Sequence, residues 1–116
     1  MTIRRVMPHV RSDRFDESRD FYIGFLGFEE AMTMDRMLML GSPDVHAAQL
    51  SIVAPDPSSA HQPQITVEVG DVDEAHAAAV EHGVRVVYPL TDEPWGVRRF
   101  FVLDPQDVVI NVMSHR

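Results

Sequence analysis

The sequence predicts an α+β fold built from two βαβββ modules, on three observations. An apolar segment, an acidic helix start, an amphipathic run and a closing glycine follow one another in that order twice along the chain. The residues that open the two amphipathic runs, Asp16 and Asp73, and those that close them, Gly27 and Gly83, stand at matching places in each half. Between the halves lies a stretch rich in Pro and Ser, residues 55–63, which reads as a linker. Two copies of so long a unit do not make a solenoid. The chain is therefore one domain, 1–116, with module 1 over 1–54, the linker over 55–63 and module 2 over 64–116.

Each element has a local reason. Ile3 to Val10 is apolar enough for a first strand. Ser12 to Glu17 then leads into an amphipathic run in which Phe15, Ser18, Tyr22, Phe25 and Leu26 recur at helical spacing, with Gly27 as C-cap. Residues 28–54 read as strands. Within them Met32, Met34, Met37 and Met39 flank Asp35-Arg36. A tight turn there sets Met34 opposite Met37 and Met32 opposite Met39, all four on one face. Such a patch either fills the core under a helix or lines a ligand cup, since thioethers adapt to both. In module 2, residues 65–69 read as a strand. Asp71 with Glu74 makes a capping-box pattern before a helix carrying Ala75, Ala79 and Val80, and Gly83 ends it. Strands are expected over 84–91, 97–103 and 108–114.

Composition narrows the function. The net charge is −8, all ten basic residues are Arg, and neither Cys nor Lys occurs. There is no thiol nucleophile, thiolate metal site or Schiff-base lysine. An acidic surface without a basic patch argues against nucleic-acid and anionic-membrane partners, and makes a small cationic or neutral molecule the easier guest. No apolar run is long enough to span a bilayer and no secretion signal is legible at Met1 to Arg5, so a cytoplasmic location is expected.

Ser18-Arg19-Asp20-Phe21-Tyr22-Ile23-Gly24-Phe25-Leu26-Gly27-Phe28 resembles the S-x-x-F-Y-x-x-x-L-G-F helix of the glyoxalase/bleomycin resistance/extradiol dioxygenase superfamily, the vicinal oxygen chelate fold. Val67-Glu68-Val69 with Asp71-Val72-Asp73, and Pro94-Trp95-Gly96-Val97-Arg98 with Asp104-Pro105, are similar to its second-half motifs. The resemblance covers nearly the whole chain. It implies modules curled into a half-barrel with a ligand cup between them, usually a homodimer, and in the enzymes a divalent metal held by His, Gln or Glu. The turn after Asp104 has Asp107 where the family has Gly, so a positive φ is expected at Asp107.

The family's ligand positions fall at Met7, at or near Gln49, at Gln64 and at Asn111. None is His, Asp or Glu, and neutral thioether and carboxamide groups are weak ligands for a hard or borderline dication. His9 lies two residues beyond Met7, hence on the same strand face. It is open to three readings: metal ligand, polar ligand contact, or structural histidine. His46, His61, His76, His82 and His115 read as solvated. Trp95 is either an aromatic wall for a planar or cationic ligand or a plug between modules. Arg98 matches the family's arginine and either pairs with a carboxylate or meets an anionic ligand.

The expectation is a metal-independent binding protein, close in logic to the antibiotic-sequestering bleomycin resistance branch, with no cofactor. Its expected ligand contacts are His9, Met32, Met34, Gln49, Gln64, Trp95, Arg98, Phe101, Asn111 and Met113. The alternative is a metal-dependent lyase, isomerase or dioxygenase with an atypical ligand set.

Overall fold

Eight segments of the chain are strands in the computed structural model, which describes residues 1–116. The strands are β1 (Ile3–Arg11), β2 (Glu29–Met34), β3 (Met37–Gly41), β4 (Gln49–Val53), β5 (Ile65–Val69), β6 (Val86–Asp92), β7 (Val97–Leu103) and β8 (Val109–His115). Helix α1 (Phe15–Arg19) continues into a π-helical segment, Asp20–Phe25, and α2 spans Val72–Glu81. The order is βαβββ twice, as the sequence predicts. No helix is long and apolar enough to cross a membrane.

The chain forms two compact units, Met7–Ser59 and Ala60–Arg116 with Met1–Val6. The division falls inside the expected linker. The first six residues join the second unit because the start of β1 lies beside β5: Gly70 N–H donates to Thr2 O at 2.9 Å, and Arg5 Nε pairs with Glu68 at 3.1 Å.

In the first unit the strand order is β2-β3-β4-β1. Strands β2 and β3, and β3 and β4, are antiparallel, and β4 runs parallel to β1. One face buries Leu38, Leu40 and Ile52 under Phe15, Tyr22, Ile23 and Phe28. Phe25 and Leu26, which recur at helical spacing with Tyr22, do not join this core: both are exposed. The cause is the π turn, where Leu26 N–H bonds Phe21 O and the wider turn rotates the following residues away from the sheet. Gly27, at φ +88°, then ends the helix in a conformation that costs glycine least.

In the second unit the order is β1-β5-β8-β7-β6, with β5 and β8 parallel and the β8-β7-β6 pairs antiparallel. Here α2 lies over Val69 and Phe100 through Val72, Ala75 and Ala79. Val80 is exposed, and Val72, one turn before Ala75, lies on the buried face. The Asp71 carboxylate accepts from Glu74 N–H at 3.1 Å, satisfying one of the open donors of the first turn. Asp71→Ala is expected to cost about 1 kcal/mol and to lower Tm by roughly 4 °C, which thermal melting followed by circular dichroism measures. Asp107 has φ 62°, as expected of an aspartate at a left-handed turn position.

Candidate functional site

Side chains on β5, β8, β7 and β6 that point away from α2 fall into rows set by the strand register. One row is Thr66, Asn111, Phe101 and Tyr88; the next is Glu68, Met113, Arg99 and Thr91. The first row is polar at one end and aromatic at the other. Asn111 Nδ2 donates to Thr66 Oγ1 at 3.0 Å, and Phe101 stacks on Tyr88 with centroids 4.6 Å apart. Asn111 is only 8% exposed, and its Oδ1 accepts no hydrogen bond. A buried acceptor left open costs about 1–3 kcal/mol, so a donor presented to it is strongly favoured.

The second row carries two ion pairs. Arg5 pairs with Glu68. Arg99 Nε and Nη2 reach Glu93 Oε2 at 2.7 and 2.6 Å, and the Tyr88 hydroxyl donates to that oxygen at 3.1 Å. The β6–β7 turn sets this up. Pro94 supplies the fixed φ a turn favours, and Gly96, at φ +91°, allows Glu93 N–H to close on Val97 O at 2.8 Å.

The first unit has a comparable face opposite its helix. The register sets Met32 against Met39, Met39 against Ser51 and Ser51 against His9, and it sets Met34 against Met37. The four methionines therefore share one face in the pairs expected, on the side away from Leu38 and Leu40. They do not fill the core under the helix. Met7 is buried and its sulfur accepts from Ser51 Oγ at 3.3 Å. Gln49, opposite Gly41 and two residues before Ser51, lies on this same face. Burial lowers the His9 pKa from 6.5 to about 4, so the imidazole is neutral at pH 7. In that state it is a hydrogen-bonding group and a weak base, poorly matched to proton abstraction near neutrality.

The expected contacts thus separate. Met32, Met34, Gln49 and His9 share a face in the first unit; Phe101, Asn111 and Met113 share one in the second. Gln64 is exposed before β5, its N–H bonded to Val109 O. Trp95 is 59% exposed at the β6–β7 turn. Arg98 stands apart from Phe101, Asn111 and Met113. It lies on the helix side of β7, bonded to Asp73 of α2 and to Asp92, which hold its guanidinium pKa above the ordinary range. Strand alternation puts Arg99 with Phe101, and that two-residue spacing was the available signal for Arg99. His76, expected in solvent, packs edge-on against Phe100 with centroids 4.9 Å apart. It sits one residue after Ala75 on the flank of the buried stripe of α2.

Metal chemistry has a poor seat here. Met7, Gln49, Gln64 and Asn111 offer a thioether and three carboxamides, and nowhere do three His, Cys, Asp or Glu side chains gather closely enough to hold an ion. This donor set does not fit a hard or borderline dication, which wants anionic oxygen or several imidazoles.

No curated protein matches this chain. Solved structures do. A glyoxalase/bleomycin resistance protein/dioxygenase superfamily member from Vibrio splendidus 12B01 superposes with a TM-score of 0.74 at 16% identity, covering 97% of this chain and 99% of that one. A methylmalonyl-CoA epimerase from Streptomyces coelicolor, solved in complex with 2-nitronate-propionyl-CoA, gives 0.76 at 24% identity, covering 99% and 96%. A hypothetical protein from Bacillus halodurans C-125 gives 0.79 at 14% identity, covering 100% and 96%. At these identities the likeness is one of fold. The sequence model of one family matches residues 2–112, almost the whole of both βαβββ modules. The chain belongs to the Glyoxalase/Bleomycin resistance protein/Dioxygenase superfamily.

Proposed function

We propose that this chain is a metal-independent small-molecule-binding member of its superfamily, holding a planar or cationic organic ligand against strand faces that turn away from its helices. The observation that carries the reading is the neutral donor set at Met7, Gln49, Gln64 and Asn111, which can hydrogen-bond or pack against an organic molecule but supplies no anion to a dication. Two further features support it. The open Oδ1 of Asn111 asks for an N–H or O–H donor, and Tyr88 and Phe101 beside it offer a stacked aromatic surface. The low pKa of His9 favours a polar contact over acid–base catalysis.

Calorimetric titration of bleomycin-type cationic drugs and of a panel of neutral and anionic aromatic compounds tests the reading, alongside metal analysis of the untagged protein. Saturable binding with substoichiometric metal is expected. Asn111→Leu is expected to weaken binding about tenfold, the value of one hydrogen bond of about 1.4 kcal/mol. The same change breaks the Asn111–Thr66 hydrogen bond and enlarges a buried side chain, so a stability loss of about 1–2 kcal/mol is expected, and urea denaturation beside the titration confirms that the variant is folded. Stoichiometric Fe, Ni, Zn or Mn would overturn the reading in favour of a metal-dependent lyase, isomerase or dioxygenase, and absence of binding by every compound would overturn it outright.

A further inference from the structure

Arg99 lies beside the stacked Phe101–Tyr88 pair and beside Trp95. Its guanidinium carbon lies 4.8 Å from the Phe101 centroid, 5.0 Å from that of Trp95 and 5.5 Å from that of Tyr88. All three fall within the range of about 6 Å over which a cation is attracted to a ring face. The Glu93 carboxylate accepts from Arg99 and from the Tyr88 hydroxyl. A stacked ring pair, a third ring and one carboxylate beside a positive charge are the parts of an aromatic cage, the device by which proteins recognise organic cations. The cation in this cage belongs to the chain itself.

We propose that Tyr88, Trp95, Phe101 and Glu93 form a recognition cage for an organic cation, which Arg99 fills from within the chain and which a small molecule with a guanidinium or ammonium group enters by displacing it. The proposal rests on the small-molecule reading above and names the class of ligand.

The two halves of the ion pair are unequally free to move, and that decides the sign of the guest. The Glu93 side chain is short, 9% exposed and held also by Tyr88. The Arg99 side chain is long and 22% exposed, and its outer wall is the exposed ring of Trp95. A cation that replaces Arg99 leaves Glu93 paired and the rings occupied, while the displaced guanidinium reaches water at the rim. An anion would have to replace Glu93 and leave a buried carboxylate without its partner, which is strongly unfavourable. A neutral guest restores neither the ion pair nor the cation–ring contacts. The net charge of −8 acts in the same direction, raising the local concentration of cations.

Trp95 is the only tryptophan, so its emission reports on the cage directly. The test is titration of the wild type, Arg99→Gln and Glu93→Gln with agmatine and with choline, followed by Trp95 fluorescence, with folding checked by circular dichroism. A saturable change is expected in the wild type. Binding about tenfold tighter is expected in Arg99→Gln, because an internal competitor that fills the cage nine-tenths of the time weakens apparent affinity by that factor. Glu93→Gln is expected to lose the response. No saturable response to either cation in the wild type overturns the proposal, even if Arg99→Gln binds, and this arm decides by itself if Arg99→Gln does not fold. A neutral or anionic compound that binds by calorimetry without moving Trp95 emission, with both cations silent, overturns the cage while the small-molecule reading stands. Failure of every compound overturns both.

Discussion

Phe100→Ala is expected to destabilise the protein by about 3–5 kcal/mol, the range for removing a large side chain from a packed core. Phe100 is 1% exposed and touches the α2 residues Val72, Ala75 and Ala79 as well as Val69 of β5. His76 adds an edge-on ring contact that would be lost with it. Domains of this size are stable by only about 5–15 kcal/mol in total, so the change removes a large fraction. The consequence reaches the far side of β7. Phe100 is flanked by Arg99 and Phe101, and a strand that settles into the cavity would move both rows of that face. Urea denaturation of Phe100→Ala and of Val80→Ala checks this. The second variant truncates an exposed apolar residue of α2 and should shift stability by no more than about 0.5 kcal/mol. A loss below about 1 kcal/mol for Phe100→Ala would show that the cluster under α2 is not the core of the second unit.

Acid is expected to weaken the fold through His9. Burial holds its pKa at about 4, against 6.5 for an exposed imidazole. Between those values the unfolded chain binds a proton that the folded chain refuses, so stability rises with pH across this window. The contribution is fully present above about pH 6.5, falls as the pH drops, and is gone below about pH 4. A gap of that size is worth about 3 kcal/mol. Because carboxylates also titrate in the lower part of this range, the informative quantity is the difference between the wild type and His9→Gln. The wild type should lose roughly 2–3 kcal/mol more than the variant between about pH 7 and about pH 4.5, measured by urea midpoints. Equal losses would mean that His9 is hydrated and titrates normally.

Where the chain's own periodicity is unbroken, the sequence is a reliable guide to structure. The methionine pairs follow from a two-residue turn and the alternation of side chains, and both observed pairs match that geometry. The caps at Asp71, Gly27 and Gly83 follow from backbone needs that are local to a few residues. The reading fails where periodicity is interrupted. Helical spacing counted through Tyr22 places Phe25 and Leu26 inward, but the π turn inserts extra rotation that no single residue announces. On α2 the buried stripe is Val72, Ala75 and Ala79, and Val80 stands to one side of it.

The candidate site shows the same division. Arg98 came from a motif, while the strand's own alternation assigns it to the helix side and Arg99 to the face of Phe101. Alternation alone would also have misplaced Tyr88. Counting by twos along β6 puts Val86, Tyr88 and Leu90 on one face, yet Val86 and Leu90 pack toward α2 and Tyr88 stacks on Phe101. Register shifts on either side of Tyr88 turn it to the opposite face.

By itself the sequence determined two βαβββ modules, their caps, the methionine face and a set of neutral donors where metal ligands would be needed, because each of these depends on residue chemistry and short-range spacing. Only the tertiary structure decided that Asn111 Oδ1 is buried with no donor and that Arg99 sits among Tyr88, Trp95, Phe101 and Glu93. Those facts depend on bulges, a turn and cross-strand register, which are settled by packing among segments distant in the chain and leave no local mark in the letters.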